Sequence, residues 1–293
     1  MELRQVQYAV AVVDAGSFTR AAATQHVAQP SLSQSVRTLE AELGAPLFYR
    51  LGRRIALTPA GEAFLGPARQ LLRDAGTVAA AVESVAGLRA GHVDLVGLPA
   101  LAADPIAPLI GSFRLRHPEV TVRLAEPDDA DAVVQMVRDG RSELGFAAAP
   151  FPDDLVVHDA FEQEILAVCP PGTRVRRRGR LSLAELASMP LVTTPLGTST
   201  RSLLDEVLAG AAVAPRIAVE TGQREAIVVL VLAGAGTCFL PAPLARAAAQ
   251  RGAVALSLDP PLRRRIALIH RRGPLAPAAR AFSAFALPRL AES

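Results

Sequence analysis

The chain has 293 residues, 51% hydrophobic and 20% charged, so it has material for two or more packed modules and is not a disordered chain. Its 31 basic residues against 28 acidic give a net charge of +3, and all 31 are arginine, which excludes a lysine-bearing phosphate loop. Two cysteines, Cys169 and Cys238, in apolar strand-like settings argue against a disulfide framework and for a reducing compartment.

The amino terminus, Met1 to Gln5, lacks the apolar run of a signal peptide, and apolar runs such as Ile227 to Gly236 are too short to span a bilayer. A cytoplasmic protein with no membrane partner is the expectation. Gly16 to Leu57 then reads as two short helices, a tight junction and a basic hairpin. The first helix is expected over Phe18 to Gln25, with Ser17 as its cap. The second starts at Gln29-Pro30 and buries a stripe of Leu32, Val36, Leu39 and Leu43, while Gln29, Ser31, Ser33, Gln34 and Arg37 lie opposite. Short polar groups and a guanidinium are side chains that reach base edges and phosphates in a major groove. Gly44 stops that helix, and Tyr49 to Leu57 reads as a hairpin with Arg50, Arg53 and Arg54 around its tip. On the helices alone, an ordinary helical hairpin with a solvated polar face is an equal reading.

The ordered combination resembles the amino-terminal winged helix-turn-helix of the LysR-type transcriptional regulators. The matching residues are Ser17 to Ala22, Gln29 to Ser33, Leu39-Glu40, Leu43 to Phe48, Arg53-Arg54 and Leu57 to Gly61. The sequence departs from the family pattern at Ala28, where a serine cap is usual, and at Gln34, where a basic residue is frequent. The resemblance implies double-stranded DNA as a partner, a homodimer or dimer of dimers, a small-molecule effector, and RNA polymerase as a further partner. It implies neither an enzyme nor a cofactor.

In residues 59–87, Phe64, Ala68, Leu71, Ala75, Val78, Val82 and Val85 recur at alternating steps of four and three, the seam of a two-helix coiled coil. A single amphipathic helix lying on its own domain is the alternative, and Pro67 should bend the helix or mark its start. In the family this segment is the dimerising linker helix.

From Gly91 strands and helices alternate. Strands at His92–Leu98, Val120–Ala125 and Leu144–Ala149, with helices between, make a βαβαβ unit and hence a parallel sheet. A second set runs from Glu164 to Leu240, after which Arg265–His270 returns to the first sheet and a last helix covers Pro277–Leu290. The fold class is therefore α/β with an all-α winged helix-turn-helix head, a long linker helix, and two lobes around a hinged cleft. By resemblance, the two lobes are the family's effector domain, similar to type 2 periplasmic binding proteins. The expected divisions are a head at 1–58, a linker at 59–87, and an effector domain at 88–293. Within the last, lobe I is 88–160 with 267–293, and lobe II is 161–266.

Ligands of open parallel sheets sit outside the carboxyl ends of the strands, which selects the loops holding Pro99, Ala100, Leu101, Asp128, Thr194 and Gln223. Thr198, Ser199 and Thr200 at a helix start could hold the carboxylate of a small effector, or could simply cap that helix. Metal and nucleophile chemistry finds no support: the five histidines show no ligand spacing, and no Gly-x-Ser-x-Gly elbow exists. Gly234-Ala235-Gly236 reads as a helix-to-strand turn, and the basic run Arg174 to Arg180 as a solvated loop. The rival reading is a solute-binding or enzymatic α/β protein with an incidental helical head.

Overall fold

The computed structural model describes residues 1–51, 54–84, 91–174, 179–210 and 216–291. The head packs α1 (Leu3–Ala15), α2 (Phe18–Thr24) and α3 (Gln29–Leu43) around Tyr8, Val12, Ala21, Leu32, Val36 and Leu39. Ala21 and Ala22 sit where α2 meets its neighbours, and their small side chains permit the close approach. A β-hairpin of β1 (Phe48–Leu51) and β2 (Arg54–Leu57) pairs Phe48 with Leu57 and Leu51 with Arg54. The edge of Phe18 meets Phe48, 5.6 Å between ring centres, which pins the hairpin to the helices. Two helix-end expectations fail. Ser17 precedes α2 in extended backbone but makes no side-chain cap bond, and Leu43 is exposed because α3 has by then run past its neighbours.

The long helix α4 (Pro59–Ser84) follows. It begins at Pro59 and runs on through Pro67, so Pro67 does not mark its start. The ring of Pro67 is exposed and the missing N–H costs one ladder bond within an otherwise continuous helix. The first turns do not stand free. Phe64, Leu65 and Ala68 pack against Val6 and Val10 of α1, and buried Arg69 bonds Asp14.

Lobe I starts with β3 (Gly91–Gly97), which pairs in parallel with β4 (Val120–Ala125) and β5 (Leu144–Ala148). Between β3 and β4 run α5 (Pro99–Leu101), a kink within Ala102–Ile106 and α6 (Ala107–Arg116); α7 (Ala130–Arg138) joins β4 to β5. The helical segment between β3 and β4 is thus broken, with Asp104 in extended backbone ahead of Pro105.

The chain then enters β6 (Leu155–Cys169), and lobe II adds β7 (Arg180–Ser182), α8 (Leu183–Ser188), β8 (Leu191–Thr193), α9 (Ser199–Gly210), β9 (Ile217–Glu220), α10 (Arg224–Leu232), β10 (Cys238–Pro241) and α11 (Ala242–Gln250). It returns through β11 (Val254–Arg271), and α12 (Pro277–Ala291) closes lobe I.

The crossings are two long antiparallel strands shared by both lobes. β6 and β11 pair from Val254–Cys169 to Arg271–Leu155, with irregularities between Ser257 and Leu262 and between Ile266 and Ala267. β11 also pairs antiparallel with β5, so residues 266–270 do rejoin the first sheet. The result is one sheet in the order β10-β6-β11-β5-β3-β4, with β7 beside β11 and a separate parallel pair β8-β9. Each lobe keeps its own core, Phe113, Phe146 and Phe282 in lobe I and Leu181, Leu204 and Phe239 among those of lobe II. At ~25 cal/mol per Å² of apolar surface buried, each such side chain contributes about 1.5–3 kcal/mol.

Candidate nucleic-acid interface and interlobe cleft

The residues between α3 and α4 form an interlocked joint. Glu40 Oε1 accepts from the backbone N–H of Leu47 at 2.8 Å and of Phe48 at 3.3 Å. Thr58 Oγ1 donates to Pro46 O at 2.6 Å and accepts from Gly61 N at 3.0 Å, capping α4. A β-carbon at Gly61 would collide with the carbonyl oxygen of Leu47. The motif residues Glu40, Pro46 to Phe48, Thr58 and Gly61 therefore fix how α3, the hairpin and α4 sit together.

That joint leaves one face of α3 open. Gln29, Ser31, Gln34 and Arg37 are all exposed, and Thr38, which the sequence reasoning passed over, joins them while donating to Gln34 O at 3.1 Å. Ser33, expected on the same face, is 8% exposed: it directly follows Leu32 around the helix and falls on the flank of the buried stripe. Ala28 precedes α3 in extended backbone with no cap bond, so the first turn keeps its N–H groups free. Before it, His26 occupies left-handed backbone, φ 54°, in the turn that sets α2 against α3. Arg53 lies outside the described residues, as do the side chains of Arg50 and Arg54.

The expected seam of α4 divides. Phe64 and Ala68 pack on the same chain's α1, whereas Leu71 is 40% and Val78 68% exposed, with Ala75 between them half-buried. The side chain of Val82 and all of Val85 lie outside the described residues. Past Ala68 the helix turns to lobe I. Arg73 Nη1 donates to Gly140 O at 2.5 Å, and Gln70 Oε1 accepts from Arg271 at 2.6 Å and Arg73 at 2.9 Å. Burial lowers the pKa of Arg73, against the pull of Glu143 and Asp74.

Between the lobes lies a cavity of about 580 Å³. Of the expected ligand residues, Pro99, Ala100, Thr194 and Thr200 line it. The others fall elsewhere. Leu101 is buried in the lobe I core. Thr198 Oγ1 lies 2.5 Å from Thr194 Oγ1, donates to Pro195 O at 2.8 Å and receives Arg201 N at 3.4 Å, so its hydroxyl is spent within the loop and at the helix start. Ser199 lines a second, larger cavity of about 940 Å³, with Asp129, Glu206 and Arg265, and its N–H donates to Asp128 O at 2.8 Å. Gln223 precedes α10, is exposed and borders neither cavity. Asp128 borders neither as well, but accepts from Arg224 Nη2 at 2.5 Å across the lobes.

Glu126, in the loop of Asp128, also lines the cleft, and sequence reasoning missed other walls, among them Leu124 on β4, Phe239 on β10, Arg224, and Arg264 on β11. A sequence signal for Arg264 existed. In Pro261-Leu262-Arg263-Arg264-Arg265-Ile266, period-two alternation sends one arginine inward whenever the strand is central. Among the described residues no cluster of three His, Cys, Asp or Glu side chains could hold a metal, and no helix is long and apolar enough to cross a membrane.

Comparison with known proteins gives this geometry its context. Residues 3–62 match the model of the bacterial regulatory helix-turn-helix protein, lysR family, and residues 86–291 that of the LysR substrate binding domain. TcbR, a transcriptional regulator of Pseudomonas sp. (strain P51), is 33% identical over 253 residues, 84% of each chain. The RuBisCO operon transcriptional regulator of Allochromatium vinosum is 29% identical over 296 residues, 99% of this chain and 97% of its own. Full-length CbnR, solved with its target DNA, superposes with a TM-score of 0.64 at 25% identity, over 99% of this chain and 100% of its own. A full-length OxyR variant from Pseudomonas aeruginosa shares the fold, with a TM-score of 0.75 at 23% identity over 98% of this chain and 93% of its own. With both of its domains matched along nearly the whole sequence, the chain belongs to the LysR family of DNA-binding transcriptional regulators.

Proposed function

We propose that this regulator acts as a homodimer, or a dimer of dimers, that reads a pseudo-palindromic operator through α3 and answers a small molecule held between its lobes. The open polar face of α3, with Gln29, Ser31, Gln34 and Arg37 exposed together, is the observation that carries the reading. Gln29 reads a base edge, Arg37 holds phosphate near the groove, and Arg50, Arg53 and Arg54 of the hairpin hold the flanking backbone. Ser33, on the flank of the buried stripe, contributes at most its edge.

Two heads are joined on a two-fold axis by α4. Its free apolar positions, Leu71 and Val78, are one heptad apart, as a helix-to-helix seam requires, while Phe64 and Ala68 brace the helix on its own head. The head ends near residue 58, the linker near 87, and the effector domain fills the rest. Its lobes divide where β6 and β11 slip register, at Phe161–Ile266 and Asp159–Ala267. Effector binding shifts the lobe angle. The bonds of Arg73 and Gln70 to Gly140 and Arg271 pass that shift to the linker and so to the spacing of the heads.

Selection of bound sequences from a random duplex pool tests the reading. Enrichment of an inverted repeat, with half-sites about 10 bp or a multiple apart, is expected. Enrichment of single, unpaired half-sites would contradict the two-fold arrangement.

A further inference from the structure

Arg264 is placed unlike the other arginines of the cleft. It sits opposite Gln163 in the β6-β11 ladder and spends Nε on Gln163 Oε1 at 2.8 Å, its one hydrogen bond among the described residues. Arg224 is paired with Asp128, and Arg251 is exposed at the rim. Arg264 and Leu203 line both the 580 Å³ and the 940 Å³ cavities, so they stand between the two.

Much of the wall is apolar, with Ala100 and Leu124 from lobe I and Ile165, Ile227, Phe239 and Leu240 from lobe II, while Glu126, Glu225, Thr194 and Thr200 also line the smaller cavity. Burial lowers its pKa to about 10, and no carboxylate offsets that burial. Beside it Gln163 Nε2 is buried with no acceptor among the described residues. A half-buried guanidinium with its planar fork unengaged is costly unless an anion completes it, and a carboxylate matches the fork with two parallel bonds. Of the hydroxyls expected to do this, Thr198 is bonded within its own loop, Ser199 lines the other cavity, and Thr200 lines this one beside Arg264, while lobe I offers Pro99 and Ala100 with no side-chain donor.

We propose that the terminal nitrogens of Arg264 anchor the carboxylate of a small monocarboxylic acid whose apolar body fills the 580 Å³ cleft. The inference rests on the reading of that cleft as the effector site. The acid lies with its charged end at the strand crossing and its apolar end between Leu124 and Phe239. It thereby touches both lobes on either side of the shared strands, where a bound molecule biases the lobe angle most directly.

Calorimetric titration of the full-length chain tests this, with benzoate, phenylacetate and hexanoate as probes, their neutral amides, and inorganic phosphate. At least one acid is expected to bind, its amide far more weakly, and phosphate not at all. Arg264→Met should weaken the acid about 10- to 100-fold, the range a charge-assisted pair supports, and leave the amide unchanged. Arg264→Lys, which keeps the charge and loses the fork, should recover part of that loss, and it replaces Arg264→Met should the latter fail to fold. An acid that binds Arg264→Met as tightly as wild type, or that binds Arg264→Lys as tightly as wild type while its neutral amide binds wild type equally well, overturns the anchor while the cleft reading stands. Binding of phosphate in preference to every acid, or binding by none of the acids, also overturns it. Ala103→Phe, which fills the cleft, should abolish acid binding; wild-type affinity in that variant would overturn both the anchor and the cleft reading.

Discussion

Asp128, in the loop after β4, accepts a hydrogen bond from Arg224, at the first turn of α10, at 2.5 Å, and so links the two lobes directly across the cleft mouth. Next to this pair, Ser199 N donates to the carbonyl of Asp128 at 2.8 Å. Asp128 is largely solvent-exposed, so screening limits the pair to about 0–1 kcal/mol of stability. On the proposed hinge mechanism its effect lies in the lobe equilibrium, where so small a bias still changes populations several-fold. Arg224→Ala is expected to leave the thermal midpoint nearly unchanged and to widen the distribution of interlobe distances measured between labels on the two lobes. An unchanged distance distribution would remove the pair from the hinge account.

Gly61 gives a stability prediction whose sign runs against helix propensity. In an ordinary helix interior Gly→Ala gains about 1 kcal/mol. Here the added methyl meets the carbonyl of Leu47, the residue that Glu40 and Thr58 hold in place. Gly61→Ala should therefore destabilise the head by about 1–3 kcal/mol, read as a lower denaturant midpoint for the head transition.

In the dimer proposed above, Leu71 and Val78 carry the seam. A double replacement, Leu71→Asp with Val78→Asp, places like charges opposite one another across a two-fold axis. Sedimentation should report monomer in the variant at concentrations where the unaltered chain is a dimer, with the helical signal retained. Because Phe64 and Ala68 pack on the chain's own α1, Ala68→Asp should instead unfold the head, at a cost of several kcal/mol for an unpaired buried charge, on the order of 3–5.

His158 and His270 stack on β6 and β11 with Nε2 atoms 3.1 Å apart, and His270 Nδ1 lies 2.6 Å from Arg271 O. Burial holds both imidazoles below the ordinary value of 6.5, and the charge of His270 lowers His158 further. The folded state therefore favours the neutral rings. Their contribution to stability is fully present above pH 6.5 and is lost as pH falls through the depressed values. The urea midpoint should drop between about pH 7.5 and about pH 5, and His270→Gln should flatten that drop.

Much of this was legible in the sequence. The stripe Leu32, Val36, Leu39 located α3, and the βαβαβ alternation gave the parallel half of the sheet, because both depend on local periodicity. Ser33 was misplaced because a flank position turns on a fraction of a helical turn, which depends on how α3 sits against α1 and α2. The seam of α4 was read through Phe64 and Ala68 because heptad spacing records an apolar face without recording which surface covers it. The β6 and β11 crossings escaped as continuous strands: Asp259-Pro260-Pro261 and Arg263-Arg264-Arg265 do not read as strand interiors, yet they lie within β11. The inward side chain of Arg264 could be located only once that strand was in place.

The central claim, that α3 reads operator bases through Gln29, is tested most directly by the base-preference profile of Gln29→Ala. Affinity would be measured at one fixed salt concentration for the selected operator and for every single-base substitution of it. The account predicts a loss of discrimination, about 1–3 kcal/mol, confined to one position in each half-site. Arg37→Ala should instead weaken all sequences alike and lower the salt slope by about 0.9. A Gln29→Ala profile identical to that of the unaltered protein would contradict the assignment of α3 as the reading helix.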